Sequence, residues 1–547
     1  MRASSAWKQL PNLASLVAVV LIAANYFYPF ADLDFSWQVR TGTRIIQTGQ
    51  VRTPDGFTYT IAGKQVPDFE WLYEVTLAAV WGGLGYGGLK LLRVLLVAAP
   101  LVLLARRLHR EGVAWHGIAL ALGVAVGVLA PAWNLRPLYC TTIGLLLVSG
   151  WLHDHCTGRR PLSWWLPVVM LLWANLHPGV ITGQGLLAGA IAWEWVNRRV
   201  RLNTPLSREA CWRLTVIGGA GLAATFISPD PLERLLYPFR PEVAHPVQRI
   251  FAEMQPLHRF ILQPPYLTNL AYVVAAAVAL SVVLQFRRYR LWEVLLLLGL
   301  AGLASLAFRS LQDWLLIMLA LGVPHLARLP RQIAARRRQL AAAVRWNGVV
   351  GWGERLVLRV DRSCKHVLNS ALLRPQWAWP AAAVGVLAVV SLVPPLSRRM
   401  PIQDSPEWPA GALDWAETNG VSGRFFGPPD YGAYVTWRLG DRARCYTDTR
   451  GFFFTPELLE DSHYLPLMAP GWQGRLRRVL DRGTDYFLLE TTGPRGELWR
   501  TLRPCAGEPL YLDDHTVLLA RAQVEQAVAR LHEDRVASAA AVTAPQP

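Results

Sequence analysis

The sequence predicts a polytopic α-helical membrane protein with about eleven transmembrane helices, followed by a small soluble α+β domain. Of the 547 residues, 52% are hydrophobic and only 17% are charged, whereas soluble domains carry about 25% charged residues. Long apolar blocks alternate with short arginine-rich connectors up to residue 397. The remainder, 398–547, mixes charges, turn residues and aromatics, as a globular domain does.

A helix needs about 20 mainly apolar residues to cross a hydrocarbon core of roughly 30 Å. Spans are predicted near 12–30, 87–105, 116–131, 138–153, 161–175, 179–195, 213–228, 266–286, 291–307, 312–327 and 379–396. The run 71–85 is predicted to lie along the membrane surface instead. If it were a span, it would separate the basic cluster at 106–110 from the basic N-terminus.

Under this assignment every arginine-rich connector falls on the side of the N-terminus, including the long basic segment 328–378. The positive-inside rule makes that side cytoplasmic. The first loop, 31–86, and the domain 398–547 are then extracytoplasmic, and a disordered tail is expected after about residue 532. Topology therefore accounts for the net charge of +17, and no nucleic-acid partner is expected.

Polar side chains gather in the predicted outer segments. The first loop contributes Asp32, Asp34, Trp37, Gln38, Arg40, Asp68, Glu70 and Trp71, and the other outer turns contribute Arg136, Asn175, His177, Glu253 and Arg309. Carboxylates two residues apart at a membrane boundary are costly unless they are solvated, paired or metal-bound. Asp32 and Asp34 are therefore candidates for ligating a divalent metal, Mg²⁺ or Mn²⁺, or for general-base catalysis.

Each of these residues also has a simpler explanation. The two aspartates could mark the solvated end of a helix, and His177 could be a hydrogen-bonded turn residue ahead of Pro178. A guanidinium such as that of Arg136 or Arg309 suits a phosphate, but Arg136 could instead snorkel to the membrane interface. It is the placement of these residues on one face that makes them candidates.

Within 398–547, helices are predicted at 408–419, 456–465 and 471–482. The runs AYVTWRL, CYTDT, DYFLLE and TVLLAR are predicted as short strands. Cys445 and Cys505 either form a disulfide or remain two thiols. Asp448 and Arg450, in YTDTRG, are interpreted as a buried structural ion pair.

The order of motifs resembles the GT-C class of membrane glycosyltransferases and, more closely, a group of bacterial polytopic membrane proteins related to it. The motifs that carry the resemblance are DLDFSWQVRTGTRIIQTG (32–49), TPDGFTYTIAGKQVPDFEWLYE (53–74), NLRP (134–137), WANLHPG (173–179), EMQP (253–256), FRS (308–310), GRFFGPPDYGAYVTWRL (423–439), YTDTRGFF (446–453) and YLDDHTVLLAR (511–521). They extend along most of the chain. At position 38 the group more often has histidine, where this chain has Gln38.

The resemblance implies a location in the bacterial inner membrane, with the C-terminal domain in the periplasm. In GT-C enzymes an acidic residue just after the first span serves as catalytic base or metal-site residue, and Asp32 and Asp34 occupy that position here. The expected donor is a sugar on a polyprenyl phosphate that enters from the lipid, and the expected acceptor is an envelope protein or polysaccharide. The first loop would carry surface helices.

Three functions follow from these observations. The first is a glycosyltransferase acting on the extracytoplasmic side. The second is a non-catalytic envelope scaffold, or lipid-binding assembly protein, that kept the GT-C fold; Gln38 favours it because an imidazole is absent. The third is a transporter, which the nearly uncharged centres of the spans disfavour.

Overall fold

The computed structural model describes residues 13–27, 34–129, 134–236, 249–260, 268–343, 376–392 and 408–543. The helices before residue 400 are α1 (Leu13–Phe27), α2 (Asp34–Thr48), α3 (Trp71–Arg110), α4 (Trp115–Leu129), α5 (Leu138–Cys156), α6 (Leu166–Leu176), α7 (Val180–Val200), α8 (Arg208–Ala224), α9 (Pro231–Leu236), α10 (Asn269–Gln285), α11 (Leu291–Leu306), α12 (Leu311–Ala343) and α13 (Ala378–Leu392). The later helices are α14 (Ala410–Thr418), α15 (Pro429–Leu439), α16 (Pro456–Tyr464), α17 (Trp472–Asp481), α18 (Glu497–Leu502) and α19 (Arg521–Thr543).

The chain divides into two compact units. Unit 1 comprises Met1–Tyr28, Val80–Pro231 and Gln255–Met400, and unit 2 comprises Pro29–Ala79, Leu232–Met254 and Pro401–Pro547. The domain predicted at 398–547 is therefore joined in unit 2 by the first loop and by a second loop segment. All three pieces of unit 2 come from segments that the sequence places outside the membrane.

Each of the eleven predicted spans coincides with a helix that lies largely in unit 1. Among the described residues, three helices are long and apolar enough on their own to cross a membrane: Trp71–Arg110, Asn269–Arg288 and Phe308–Leu329. Several others are apolar but shorter, so the count of eleven crossings stays a prediction. In α3 the helical backbone is interrupted at Gly85, where φ is +58°, which is the predicted end of the surface segment 71–85.

Connector residues predicted to be cytoplasmic converge at one end of unit 1. Glu111 accepts hydrogen bonds from Arg159 Nη1 and Nη2 at 2.5 and 3.0 Å and from Arg328 at 2.8 Å. Arg290 binds the buried carboxylate of Glu194 at 2.9 Å. These pairs join residues from five separate predicted connectors or helix ends, as a common cytoplasmic face requires. The side of the membrane on which they lie stays a prediction.

Unit 2 contains a five-stranded sheet with the order β2-β1-β3-β5-β4. The strands are β1 (Gly423–Phe426), β2 (Ala443–Cys445), β3 (Tyr486–Glu490), β4 (Tyr511–Leu512) and β5 (Thr516–Ala520). β1 pairs in parallel with β2 and β3, and β5 pairs antiparallel with β3 and β4. The first loop covers the β2 edge, since Cys445 N donates to Phe57 O and Tyr59 N donates to Cys445 O.

The hydrophobic core of unit 2 draws on all three of its pieces. Ile61 of the first loop and Met254 of the second loop segment pack with Phe426, Phe487 and neighbouring residues of the C-terminal part. Burial of these apolar side chains is the main favourable term in holding the pieces together. The loops therefore belong to the fold of the C-terminal domain.

The predictions for the C-terminal part are confirmed for its helices and for DYFLLE and TVLLAR. The predicted strand CYTDT is wrong beyond its first residue, because β2 ends at Cys445. The run AYVTWRL was predicted as a strand and is wrong, because it forms most of α15, which begins at Pro429. The alternation of residue types in this run resembles a strand with one buried face. In the structure, however, the consecutive residues Ala433, Tyr434 and Val435 are all buried. α19 continues to Thr543, past residue 532, where the sequence predicted disorder to begin. Cys445 and Cys505 are both free.

Helix α2 lies between α15 and the start of α3. It buries Phe35, Val39, Gly42 and Ile45, at the three- and four-residue spacing of one helix face. A Cβ atom on Gly42 would lie 2.0 Å from the carbonyl oxygen of Glu74. The absence of a side chain at Gly42 thus allows α2 to approach the first turn of α3.

Arg450 ties the first loop to the C-terminal part through a buried ion pair. Its Nη2 donates to Asp55 and to Asp448, each at 2.6 Å, and its Nε donates to Asp448 at 3.0 Å. Asp55 in turn accepts from the backbone N–H and the hydroxyl of Thr58. The interpretation of Asp448 and Arg450 as a buried ion pair is confirmed, with Asp55 as a further partner.

Replacing Arg450 should destabilise unit 2. Arg450→Ala leaves the carboxylates of Asp55 and Asp448 buried without their cation, which costs about 3–5 kcal/mol. We expect a lower thermal unfolding midpoint of the full-length protein in detergent and faster proteolysis within 401–547. Arg444→Ala, at an exposed position on β2, is the control. Equal unfolding midpoints for the two variants would contradict this role.

A side chain at Gly42 should separate α2 from α3. Gly42→Ala forces a methyl group against the Glu74 backbone, and overpacking of this kind costs about 1–3 kcal/mol. The measurement is again the thermal unfolding midpoint, with Gln47→Ala on the exposed part of α2 as the control. If Gly42→Ala unfolds at the wild-type temperature, the close approach does not constrain the unit.

Candidate functional site

The predicted site residues of the first loop form an acidic cluster in unit 2. Gln38 Nε2 donates to Glu70 Oε2 at 3.4 Å, and Asp68 Oδ1 accepts from the backbone N–H of Glu70 at 2.9 Å. Gln38 is buried, while Asp68 and Glu70 are half-buried. The close approach of α2 to α3 explains the contact between Gln38 and Glu70. The two helices meet at Gly42 and Glu74, and Gln38 and Glu70 each lie four residues before that point.

Glu74 adds a third carboxyl to this cluster. It is only 2% exposed, and its Oε2 has no hydrogen-bond partner among the residues that the structure describes. Glu74 lies before the Gly85 break, outside the predicted span 87–105. Burial raises the pKa of Glu74 well above its ordinary value, and the neighbouring carboxylate of Asp68 raises it further. The environment of Glu74 thus favours the neutral form of its carboxyl.

The two predicted catalytic residues have different outcomes. Asp32 lies outside the described residues. Asp34 is the first residue of α2, is half-buried, and accepts from the indole N–H of Trp37 at 3.4 Å. The Trp37 ring lies beside the Arg450 guanidinium, with 5.9 Å between the ring centroid and Cζ.

Unit 1 contains a second polar cluster, where the turn after α6 meets the first turns of α5 and α12. His177 Nδ1 lies 2.6 Å from the hydroxyl of Thr141 and accepts from the backbone N–H of Gly179 at 3.1 Å. Thr141 accepts from the Trp173 indole at 3.0 Å, which leaves its own hydroxyl proton for His177. With Nδ1 accepting, the ring proton is assigned to Nε2.

Arg309 acts on this turn from the residues before α12. Burial lowers the pKa of His177 to about 3, and the charge of Arg309 contributes to the shift. The imidazole is therefore neutral and carries an N–H donor near a guanidinium. Beside it, the Thr142 hydroxyl donates to Asp313 at 2.5 Å and accepts from Gln312 at 2.8 Å.

Other predicted site residues have structural contacts. Arg40 donates to the Thr436 carbonyl and to Asp441, both at 2.5 Å, and so fixes α2 to α15. Asn175 donates to two backbone carbonyls, those of Leu171 and Ile227.

The other predicted residues are Trp71, Arg136 and Glu253. Trp71 begins α3, Arg136 lies in the turn before α5, and Glu253 lies in a short 3-10 helix of unit 2. A cavity of about 350 Å³ between α7 and α11 is lined mainly by leucine and glycine, and none of the predicted site residues line it.

The residues that the site predictions missed are Glu74, Thr141, Thr142 and Gln312. Glu74 had a usable signal, because its spacing of four from Glu70 puts both at the start of one helix. The threonines had none, since hydroxyl residues are common in apolar helices and nothing local distinguishes these two.

A metal site is not formed by the described residues alone. Among the residues described from 34 onward, no three His, Cys, Asp or Glu side chains converge as metal ligands. Asp34 supplies the hard carboxylate oxygen that Mg²⁺ or Mn²⁺ prefers, but Asp32, the second predicted ligand, lies outside the described residues. Asp32 and Asp34 therefore remain a proposal as metal ligands.

Comparison with known proteins identifies the fold. No protein-family model matches the chain, and no curated protein matches its sequence. Among solved structures, the apo oligosaccharyltransferase of Archaeoglobus fulgidus matches with a TM-score of 0.53 at 11% identity, over 87% of this chain and 69% of that chain. The oligosaccharyltransferase AglB of A. fulgidus, in complex with an inhibitory peptide and a dolichol-phosphate, matches with a TM-score of 0.50 at 12% identity, over 89% and 69%.

ArnT from Cupriavidus metallidurans, bound to undecaprenyl phosphate, matches with a TM-score of 0.48 at 12% identity, over 92% of this chain and 97% of that chain. The resemblance that the sequence motifs indicate is confirmed at the level of the fold by the archaeal enzyme. The chain has the fold of the GT-C class of membrane glycosyltransferases.

Proposed function

We propose that this protein is a membrane glycosyltransferase that moves a sugar from a polyprenyl-phosphate-linked donor to an acceptor on the extracytoplasmic side. The observation that carries the proposal is the Arg309–His177 cluster in a chain with the GT-C fold. A guanidinium next to a neutral imidazole N–H provides two donors of the kind that bind phosphate oxygens. A polyprenyl phosphate is the ligand that combines such a head group with a lipid tail.

In the proposed reaction, negative charge develops on the phosphate bound at the Arg309–His177 cluster. The acceptor oxygen attacks the anomeric carbon of the sugar, the bond from that carbon to the phosphate oxygen breaks, and the polyprenyl phosphate leaves with the electron pair. Arg309 stabilises the charge that grows on the phosphate in the transition state. Arg136 is a second candidate for the same role.

The acidic groups of the first loop complete the proposal. Asp32 or Asp34 removes the proton of the acceptor hydroxyl or helps to hold Mg²⁺ or Mn²⁺, which would supply Lewis-acid stabilisation of the phosphate when bound. Trp37 and Trp71 supply aromatic surface for a sugar. No step depends on the metal.

The proposed setting is the bacterial inner membrane, with a cytoplasmic N-terminus and unit 2 in the periplasm. The gathering of arginines at one end of unit 1 and the loop composition of unit 2 support this orientation. The proposed acceptor is an envelope protein or polysaccharide. The alternative is a non-catalytic scaffold that binds polyprenyl phosphate without transferring sugar.

Loss of the Arg309 guanidinium should weaken phosphate binding. A hydrogen bond to a charged group contributes about 1.5–3 kcal/mol, so Arg309→Ala should reduce affinity roughly tenfold to hundredfold. Arg309→Lys keeps the charge without the fork and should fall in between. The measurement is titration of the full-length protein in detergent with undecaprenyl phosphate. Arg208→Ala, exposed at the start of α8, is the control, and unchanged affinity in Arg309→Ala would refute the assignment.

Loss of the Asp34 carboxylate should abolish transfer without affecting insertion. Asp34→Asn retains the shape but removes the charge needed by a base or a metal ligand, so we expect at least a hundredfold loss of rate, as is typical of acid–base groups. Mass spectrometry of polyprenyl phosphate, released from a panel of polyprenyl-phosphate-linked hexoses and pentoses, reports the reaction. Asp481→Asn, exposed on α17, is the control. Wild-type activity in Asp34→Asn would exclude both proposed roles.

A further inference from the structure

Two connectors of unit 1 are hydrogen-bonded to each other at the end of the unit that the sequence predicts to be cytoplasmic. Asn203, in the connector after α7, donates through its side chain to the backbone carbonyls of Arg287 at 2.6 Å and Tyr289 at 3.0 Å. One residue further along, Arg290 forms a buried ion pair with Glu194 of α7. The connector after α7 is therefore held against the connector before α11.

Four exposed arginines lie within four residues of these hydrogen bonds. They are Arg199 and Arg201 at the end of α7, and Arg287 and Arg288 before α11. None of the four makes an ion pair with a residue in the described part of the chain. One exposed carboxylate, that of Glu209, follows in the first turn of α8, so the exposed charge of the two connectors is mainly positive. Positive charge of this kind attracts anions.

An apolar groove between α7 and α11 begins close to these arginines. Its volume is about 350 Å³, and Trp292, which lines the nearer end, follows Arg288 by four residues. Leucine and glycine form most of the remaining lining. No atom lies within 4 Å of the position that a Cβ would take on Gly185, Gly189 or Gly299. The glycines therefore leave space along the groove for a hydrocarbon chain.

The two ends of the groove differ in the charge that is available to a ligand. The far end, at Thr182 and Leu303, lies five to six residues from His177 and Arg309, and the tail of a polyprenyl phosphate could enter there. That end has one guanidinium, whereas the connector end has four that are exposed. The difference favours a ligand whose anionic head group lies at the connectors.

We propose that the connectors and the groove bind an anionic phospholipid of the membrane, with its phosphate at the four arginines and one acyl chain between α7 and α11. Basic pockets between transmembrane helices are suited to such head groups. A phospholipid combines the phosphate with a hydrocarbon chain, which a free phosphate ion lacks. The site is distinct from the Arg309–His177 cluster, and the proposal does not depend on the transfer reaction.

Removing one arginine from each connector should weaken phospholipid binding. Arg201→Gln combined with Arg287→Gln deletes two exposed charges and leaves the Asn203 contact intact, because that contact uses the Arg287 carbonyl. Since each arginine near a membrane surface contributes a factor of about five, we expect roughly a twentyfold to thirtyfold loss of affinity. The measurement is titration of the full-length protein in neutral detergent with dioleoyl phosphatidylglycerol, followed by native mass spectrometry.

The matched control removes the same charge elsewhere at this end of unit 1. Arg106→Gln combined with Arg110→Gln changes two exposed arginines of α3 and should leave the affinity unchanged. Equal losses in the two double variants would mean that binding follows overall charge, and the proposal would fail. It would also fail if the wild-type protein bound dioleoyl phosphatidylcholine as tightly, or if glycerol phosphate bound as tightly as the lipid.

A second variant tests the groove while leaving every arginine in place. Gly189→Leu fills part of the groove, and the loss of contact with two CH₂ groups of an acyl chain already lowers the affinity about tenfold. We expect weaker binding of phosphatidylglycerol and unchanged binding of undecaprenyl phosphate. Gly219→Leu, on α8 and with equally open space at its Cβ position, is the control. Loss of undecaprenyl phosphate binding alone would assign the groove to the polyprenyl tail and overturn the proposal.

Discussion

Unit 2 depends on the buried ion pair of Arg450. A single guanidinium bonds Asp55 of the first loop and Asp448 of the C-terminal part, and all three side chains are at least nine-tenths buried. Although burial alone would lower it, the two carboxylates raise the pKa of Arg450 above its ordinary value. An ion pair enclosed in this way is costly to disrupt but contributes little net stability. Its main effect is therefore to fix where the loop is attached.

The attachment of the first loop also affects the positions of the residues in the acidic cluster. Between Asp55 and the start of α3, Tyr59 and Thr60 also bond the C-terminal part. Helix α2 is fixed separately by Arg40 on α15. Gly42 then sets the distance between the two helices. A hydrogen bond as long as the 3.4 Å contact between Gln38 and Glu70 is weak by itself. This hydrogen bond can orient the two side chains only because stronger contacts elsewhere hold the segments that carry them.

The sequence predicted the helices well because apolar runs of membrane length are a strong local signal. The sequence-based prediction was wrong at α15. Because this helix is buried on several faces, its sequence shows an apparent strand-like alternation and no clear helical period. For the site, the local motif identified Gln38 and Glu70 as polar residues of one loop, but their contact depends on Gly42. The pairing of Asp55 with Arg450 spans 395 residues, and no short-range pattern encodes such a contact.

Charge is distributed unequally between the two polar ends of unit 1, and this asymmetry bears on which end binds the phosphate of the donor. At one end, Glu111 and Glu194 meet arginines directly, so cation and anion are both supplied by the protein. At the other, Arg309 lies near a neutral histidine, a set of hydroxyl and amide groups and the buried carboxyl of Asp313, which accepts from Thr142. Burial and the Arg309 charge keep His177 from acquiring a charge of its own. A guanidinium and a neutral N–H donor are complementary to an anion, and the proposed phosphate site depends on these two donors at this end.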